Sequence, residues 1–263
     1  MSLSDPPRTR SQLAEQAKAL LGLHRAGQPL VLPNAWDAGS ARAVEKAGFP
    51  VVATTSAGVA RSLGFEDHQV APVEEMLAAA ARIARAVSVP VTVDFEGGYG
   101  LAPSSMIERL LEAGAAGCNL EDTDHAAGGL VPPAAQAGLI AALRQAASRV
   151  GVPFVLNARV DVFVHDFPSE EARLEEGIRR AGLYCEAGAD CVYPILIRDP
   201  AAIARFVRTV RCPVNVMAMG GAASLPALVA TGVHRISFGS SLHAQSMRDL
   251  RDALEAIGVP LQR

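Results

Sequence analysis

Three acidic side chains, Asp94, Glu96 and Glu121, stand at the ends of short apolar runs that have the composition of buried β-strands. Asp94 and Glu96 are two residues apart, so on a strand they point to one side while Val93 and Phe95 point to the other. Carboxylates that converge in a buried place raise one another's pKa unless a cation neutralises them. Mg²⁺ binds through few carboxylates and completes its shell with water and substrate, and Mn²⁺ accepts similar ligands. The pattern therefore predicts a site for a divalent cation.

A guanidinium follows the same alternation on another predicted strand. Asn157, Arg159 and Asp161 share one face, and Ala158 and Val160 share the other. The planar fork of arginine matches a carboxylate or a phosphonate. We predict that Arg159 binds the acidic part of a substrate beside the cation.

Eight predicted strands alternate with Ala-rich helical stretches and must position these side chains. Odd-numbered strands are entered through proline and even-numbered strands through glycine, as expected where a helix has just ended. Eight such units in 263 residues predict a single-domain α/β protein, a closed (βα)8 TIM barrel over residues 1–263, with its reactive residues at the C-terminal ends of the strands. The predicted strands are Leu30–Pro33, Val51–Ser56, Val91–Glu96, Gly117–Asp122, Phe154–Asp161, Cys191–Leu196, Val214–Ala218 and Arg235–Gly239.

Two helical segments flank the predicted barrel. Residues 1–28 precede the first strand, and we expect a helix from Ser11 to Arg25 that covers the barrel floor. Residues 240–263 follow the last strand and predict one C-terminal helix.

Composition excludes several classes of function. The net charge of −3 provides no basic surface for nucleic acid. No apolar run is long enough to cross a membrane, and the polar start lacks the apolar core of a signal peptide, so we expect a cytoplasmic protein. Lys18 and Lys46 are the only lysines, and both lie in helix-like stretches, which argues against Schiff-base chemistry.

The cysteines show neither a close pair nor a disulfide framework. We therefore predict four free thiols, with Cys118 packed as a small core residue. The four are Cys118, Cys185, Cys191 and Cys212.

Several of these segments together resemble the isocitrate lyase / phosphoenolpyruvate mutase superfamily. The resemblance extends over about Val31 to Gly239, and implies a Mg²⁺-dependent enzyme that cleaves or forms a C–C or P–C bond next to a 2-oxo or 2-hydroxy carboxylate. It also implies a homodimer or homotetramer, with a C-terminal helix packed on or swapped with a neighbouring subunit. The segments are Val93–Gly100, Asn119–Asp122 and Asn157–Asp161, supported by Pro33–Ala38, Ser56–Gly58 and Leu63–Asp67.

The resemblance assigns roles to individual residues. It implies that Asp94 anchors the metal and that Glu96 and Glu121 are further ligands, some of them through water. Asp67 lies where the family has a mechanistically important aspartate. The residues implied on the substrate side are Ser56, the backbone of Ala57 and Gly58, Trp36, Arg159 and Asn215.

The sequence departs from the family in the segment 123–133. It carries neither the Lys-Arg-Cys-Gly-His motif of the lyases nor the lysine and asparagine of the mutase lid. We expect this glycine-rich, then proline-rich segment to close over the site and exclude water. Asp67, His125 and His243 remain candidates for a general acid or base.

These observations favour a Mg²⁺-dependent lyase or decarboxylase that acts on a small 2-oxo or 2-hydroxy dicarboxylate through a metal-stabilised, pyruvate-type enolate. Decarboxylation is favoured mildly because it needs no base to start. The second hypothesis is a P–C bond enzyme, either a mutase or a phosphonopyruvate hydrolase. The third is a barrel that binds a carboxylate without catalysis, since a fold alone establishes no activity.

Overall fold

Eight parallel strands form the centre of the protein in a computed structural model, which describes residues 7–24, 27–219 and 221–257. Each strand begins within two residues of its predicted start, and their order along the chain is the predicted one. The strands are β1 (Leu30–Leu32), β2 (Val52–Thr54), β3 (Val91–Asp94), β4 (Gly117–Glu121), β5 (Val155–Val160), β6 (Cys191–Pro194), β7 (Asn215–Met217) and β8 (Arg235–Ser237).

The strands close into a barrel. β1 pairs with β8, and its short continuation Asn34–Ala35 pairs with β2. β2 to β6 pair in sequence order, and β7 pairs with β8. A single parallel bridge between Val192 and Val214 joins β6 to β7. The predicted (βα)8 barrel is therefore confirmed.

Helices surround the ring and fill the intervals between strands. The glycines predicted to end helices before the even-numbered strands all have positive φ, between 83° and 105°. The helices are α1 (Arg10–Leu23), α2 (Ala38–Lys46), α3 (Ser56–Leu63), α4 (Val73–Ala86), α5 (Pro103–Glu112), α6 (Pro133–Arg149), α7 (Glu170–Glu186), α8 (Pro200–Thr209), α9 (Leu225–Ala230) and α10 (Ser241–Ile257).

α1 covers the N-terminal end of the barrel, as predicted. Thr9 and Gln12 form a capping box at its start. Its buried side chains include Leu20, which lies so close to Gly117 that a Cβ on this glycine would come within 3.2 Å of the leucine. Of the flanking residues predicted to be helical, 25–26 and 258–263 lie outside the described residues.

The strands end earlier than the sequence predicts. β3 stops at Asp94, and Glu96 lies in the following turn with a φ of +47°. Ser56 is the first residue of α3, and Asp161 begins a 3₁₀ turn after β5. The polar residues thus occupy the turns just above the barrel, because pairing stops where the chain bends towards its helix.

The two faces of the strands differ as predicted. Val93, Phe95, Ala158 and Val160 are buried in the hydrophobic core between strands and helices. Within the described residues, no helix is long and apolar enough to cross a membrane.

The prediction of four free thiols is wrong for one pair. Cys185, near the end of α7, and Cys212, just before β7, form a disulfide with a Cα–Cα distance of 5.8 Å. They are 27 residues apart, so only the fold brings them together. Cys118 and Cys191 are free and buried, and burial raises the pKa of each thiol to about 12. Cys118 is thus the small core residue expected.

Candidate active site

Glu96 is buried at the turn that follows β3. The backbone N–H of Gln69 donates to Glu96 Oε1 at 2.7 Å, and the Tyr99 hydroxyl donates to Oε2. Burial raises the pKa of Glu96 to about 7, with smaller contributions from the charges of Asp94 and Asp67. Burial therefore disfavours the ionised form of the Glu96 carboxylate.

Glu121 ends β4 and is equally buried. Its two oxygens contact His125 Nε2 and Arg159 Nη2, respectively. Burial raises the pKa of Glu121 more than these partners lower it, and the charges of Asp161 and Asp94 add to the rise. Gln136 also binds its backbone carbonyl at 3.0 Å, which fixes the end of the strand.

Asp94 joins β3 to the start of α3. The backbone N–H of Ser56 donates to Asp94 Oδ2 at 3.0 Å, and the N–H of Asp94 donates to Thr54 Oγ1 at 2.8 Å. Its charge acts on both Glu96 and Glu121. The structure thus brings together the three carboxylates that the sequence predicts as metal ligands.

Arg159 lies beside this cluster on β5, directly paired in register with Glu121. Its Nε and Nη2 donate to the two oxygens of Asp161 at 2.7 and 2.6 Å, and Nη2 also contacts Glu121. These carboxylates raise the pKa of Arg159, against the opposing effect of its burial. In this arrangement Nη1 is the part of the fork that is left for a ligand.

Asp161 is itself held by a network that the sequence did not reveal. Its N–H donates to Asp122 Oδ1 at 2.7 Å, and Thr123 donates to its carboxylate. The other oxygen of Asp122 accepts from Arg180 at 2.9 Å and from Tyr184 at 2.6 Å. This buried network fixes Asp161, which in turn orients Arg159.

The start of α3 borders the site beside Asp94. Ser56, Ala57 and Gly58 form its first turn; the N–H of Ser56 already donates to Asp94, so the N–H groups of Ala57 and Gly58 are the ones that favour a further anion. Gly58 packs so closely on Trp36 that a Cβ there would lie 3.2 Å from the tryptophan Cβ. Trp36 in turn contacts His243 edge-on, with ring centroids 5.1 Å apart.

The segment predicted to be a lid forms a small antiparallel hairpin. Thr123–Asp124 pairs with Gly129–Leu130, and Asp124 Oδ1 accepts the N–H groups of the turn. His125, at the tip, reaches back to Glu121, and this contact raises the pKa of His125. Its ring also lies 5.5 Å from that of His68 in the loop after α3. The two loops thus meet above the carboxylates.

The loop after α3 carries Asp67 towards Glu96. Within the described residues, Asp67 Oδ1 is buried without a hydrogen-bond partner. Its charge contributes to the raised pKa values of Glu96 and Tyr99. Gln69 braces the loop by accepting the N–H of Tyr99 at 2.7 Å.

Asn215 lies deeper than the other predicted residues. It is the first residue of β7 and is fully buried inside the barrel, where its Nδ2 donates to Ser237 Oγ at 3.2 Å. Its role in substrate binding stays a prediction, as do the roles of the other residues named from the sequence.

The donor set fits Mg²⁺ bound in a partly hydrated form. In the described part of the chain, no three acidic, histidine or cysteine side chains form a ready-made metal cage. The available donors are all oxygens, and two of the carboxylates are buried with raised pKa values, which a cation would relieve. Mg²⁺ takes few direct protein ligands and retains water, so Asp94, Glu96 and Glu121 would be the residues to hold it.

Besides the network around Asp122, sequence reasoning missed Tyr99 and Arg235 as supports of the site. Tyr99, which binds Glu96, lies within the motif Val93–Gly100. It follows Glu96 by three residues across a turn, and this spacing could have identified it. Arg235 lies inside the barrel because it shares a strand face with Ser237, a pattern visible in the alternation around Ile236.

Comparison with known proteins agrees with this geometry. A family model described as Phosphoenolpyruvate phosphomutase matches residues 20–258. The crystal structure of a candidate phosphonomutase from Burkholderia cenocepacia J2315 is 42% identical, with a TM-score of 0.85 over 92% of this chain and 99% of that one. The probable 2-methylisocitrate lyase 2 of Corynebacterium glutamicum is 29% identical over 91% of this chain and 80% of its own length.

A further solved structure, oxaloacetate acetylhydrolase in complex with its product oxalate, is 25% identical, with a TM-score of 0.81 over 97% of this chain and 91% of that one. These similar proteins include a lyase, a hydrolase and a candidate mutase. They therefore share one fold but differ in the reaction. The chain belongs to the phosphoenolpyruvate phosphomutase family, within the superfamily of isocitrate lyases and phosphoenolpyruvate mutases.

Proposed function

We propose that this protein is a Mg²⁺-dependent lyase or decarboxylase that breaks a C–C bond next to a 2-oxo or 2-hydroxy carboxylate. The observation that carries the proposal is the group of carboxylates Asp94, Glu96 and Glu121 beside the guanidinium of Arg159. An oxygen-only cation site next to a fixed arginine suits a small dicarboxylate, because each end of the substrate then meets a positive charge.

The residues of the chain divide the work between binding and charge stabilisation. Bound Mg²⁺ would supply Lewis-acid polarisation of the substrate oxygens. The free N–H groups at Ala57 and Gly58 face the developing negative charge of a pyruvate-type enolate, which an oxyanion-binding turn stabilises. Arg159 orients the departing part of the substrate through Nη1, while Asp161 keeps its fork in one position.

The hairpin with His125 at its tip would exclude water from the reacting centre. Its contact with Glu121 and the ring contact with His68 give the closed position two attachments. Exclusion of water matters here because an enolate is protonated as soon as a donor reaches it. Asp67 and His125 lie nearest to the carboxylates and are the candidate proton donors to the enolate. His243 lies farther out, against Trp36.

A P–C bond enzyme is the second candidate. The matched family model is that of phosphoenolpyruvate phosphomutase, and the 42% identical structure is a candidate phosphonomutase. Cleavage or rearrangement of phosphonopyruvate, with no turnover of oxaloacetate or 2-hydroxy dicarboxylates, would establish this activity instead.

The proposal can be tested with oxalate, a planar mimic of the pyruvate enolate, and the fluorescence of Trp36, the only tryptophan. We expect a saturable change that requires Mg²⁺ and is abolished by Asp94→Asn, which retains the size of the side chain. Glu74→Gln, which removes an exposed carboxylate on α4, should bind like the wild type.

A positive titration then justifies a screen of 2-oxo and 2-hydroxy dicarboxylates for Mg²⁺-dependent release of pyruvate or CO₂. Binding of oxalate without turnover of any of these substrates or of phosphonopyruvate would favour the non-catalytic carboxylate-binding barrel. Oxalate binding that is indifferent to both Mg²⁺ and Asp94 would refute the proposed metal site.

A further inference from the structure

A buried arginine that has no acidic partner in the described part of the chain lies inside the barrel beneath the site. Arg235 begins β8, is 1% exposed, and donates from Nη2 to Asn119 Oδ1 at 3.1 Å. Its Nε and Nη1 have no hydrogen-bond partner within the described residues, and no ion pair forms there either. An unpaired buried charge is costly, so the fold retains this one at the expense of stability.

The position of Arg235 along the barrel axis, relative to the site, follows from the strand register. Asn119 is paired with Asp94 on one side and with Asn157 on the other. Glu121 and Arg159 are two residues further along the same strands, on the same interior face. Two residues correspond to about 6.6 Å along a strand, so Arg235 lies one layer of side chains below the proposed ligand.

Two amide oxygens near the guanidinium also lack hydrogen-bond donors within the described residues. Within the described residues, Asn157 Oδ1 and Asn215 Oδ1 are fully buried and lack a donor. Asn157 Nδ2 is already used, at 2.8 Å, on the same Asn119 oxygen that Arg235 binds. A water molecule can accept from Arg235 and donate to an amide oxygen, whereas an anion can only accept. Internal water therefore satisfies this layer better than an anion does.

The guanidinium remains charged in this place. Burial lowers the pKa of Arg235, and the carboxylate of Asp94 opposes that effect. Arginine side chains in proteins nevertheless stay protonated. Arg235 thus provides a permanent positive charge below the mouth of the barrel.

We propose that Arg235 is a positioning residue that acts on the ligand through its charge: it favours the anionic substrate above it and opposes the divalent cation. This inference rests on the proposed function, since it needs an anion and a cation in one site. Arg235 donates to Asn119 and touches no reacting atom, so its charge acts on the ligand at a distance.

The proposal makes the two ligands respond in opposite directions. Over about 10 Å, at an effective dielectric of about 20, one unit charge changes the affinity of a doubly charged ligand by the order of a hundredfold. In Arg235→Met, oxalate binding in saturating Mn²⁺ should weaken by about a hundredfold, and Mn²⁺ binding without oxalate should become tighter by a similar factor. Arg235→Lys keeps the charge and should stay close to the wild type for both ligands.

The experiment measures Mn²⁺ by the electron paramagnetic resonance of the free ion, and oxalate by Trp36 fluorescence. Arg144→Met is the control for loss of an arginine at the opposite end of the barrel, where the partly buried Arg144 pairs with Asp190 and donates to the carbonyl of Phe154 at 2.9 Å. This control should leave both affinities unchanged.

Parallel weakening of Mn²⁺ and oxalate in Arg235→Met would indicate a merely structural role and overturn the proposal, as would two unchanged affinities. If Arg235→Met fails to fold by circular dichroism, Arg235→Gln tests the same loss of charge with a polar side chain. A wild type that binds neither Mn²⁺ nor oxalate would refute the proposed function instead, so the two failures are distinguishable.

Discussion

Glu96 provides the sharpest test of the electrostatics of the site, because its raised pKa makes stability depend on pH. In an unfolded chain a glutamic acid ionises near its ordinary value of 4.5, whereas in the folded protein burial holds the pKa of Glu96 at about 7. Between these values the folded state binds more protons than the unfolded state. The stabilisation from this group is therefore complete below about pH 4.5 and is lost as the pH rises through about 7.

The size of the effect follows from the two pKa values. Each pKa unit corresponds to about 1.4 kcal/mol, so a rise from 4.5 to about 7 amounts to about 3 kcal/mol. The variant Glu96→Gln is neutral at every pH and keeps an oxygen for the N–H of Gln69. Relative to the wild type, it should gain up to about 3 kcal/mol between pH 4.5 and pH 8.5.

The assay is urea unfolding of the wild type and Glu96→Gln in chelator at several pH values, with Glu112→Gln, at an exposed position on α5, as the control. The free-energy difference between wild type and Glu96→Gln should change steadily with pH, while the control parallels the wild type. A difference that is the same at pH 5 and pH 8.5 would refute this reasoning. With Mg²⁺ in place of the chelator, wild-type stability at pH 8 should increase more than that of Glu96→Gln, because the cation neutralises the ionised carboxylate.

Three further predictions address packing, the disulfide and assembly. Gly58→Ala places a Cβ 2.6 Å from the side chain of Thr55 and should cost about 1–3 kcal/mol in urea unfolding, with shifted Trp36 emission; an unshifted, fully stable variant would contradict the tight packing. Cys185→Ser removes a disulfide that joins residues 27 apart, and should lower the free energy of unfolding by about 3 kcal/mol under oxidising conditions but by little in reductant. Equal melting temperatures of wild type and variant under oxidising conditions would argue against the disulfide. Leu254→Asp, within an exposed apolar stripe of α10, should reduce the mass in sedimentation if this helix packs on a second copy, as the family resemblance predicts, whereas an unchanged oligomer would exclude this face.

Much of the fold could be predicted because barrel sequences repeat their local signals. Proline or glycine marks each strand entrance, and alternating residues mark the two faces of β3 and β5. The cap formed by Asp37, whose Oδ1 accepts the N–H of Ser40 at 2.7 Å, is likewise a local interaction between residues three apart.

The contacts of the site were less predictable because they join distant segments. The sequence offers His125 only as a candidate acid or base, and the hairpin brings it onto Glu121. Arg159 was expected to face a substrate, and the fold also binds it to Asp161 and Glu121. Such pairings depend on the heights and directions of neighbouring strand ends, which no local pattern specifies.

The sequence by itself determined the eight βα units, the polar ends of their strands and the membership of the chain in its family, because each depends on residue types at short spacing. Only the tertiary structure decided that Cys185 meets Cys212, that Asp122 supports Asp161, and that Arg235 lies under the site with no acidic partner among the residues that the structure describes. Closure of the barrel brings β8 beside β1 and across from β4, so a charge near the end of the chain reaches Asn119 across 116 residues of sequence. Contacts of that range arise from the three-dimensional path of the chain rather than from its local preferences.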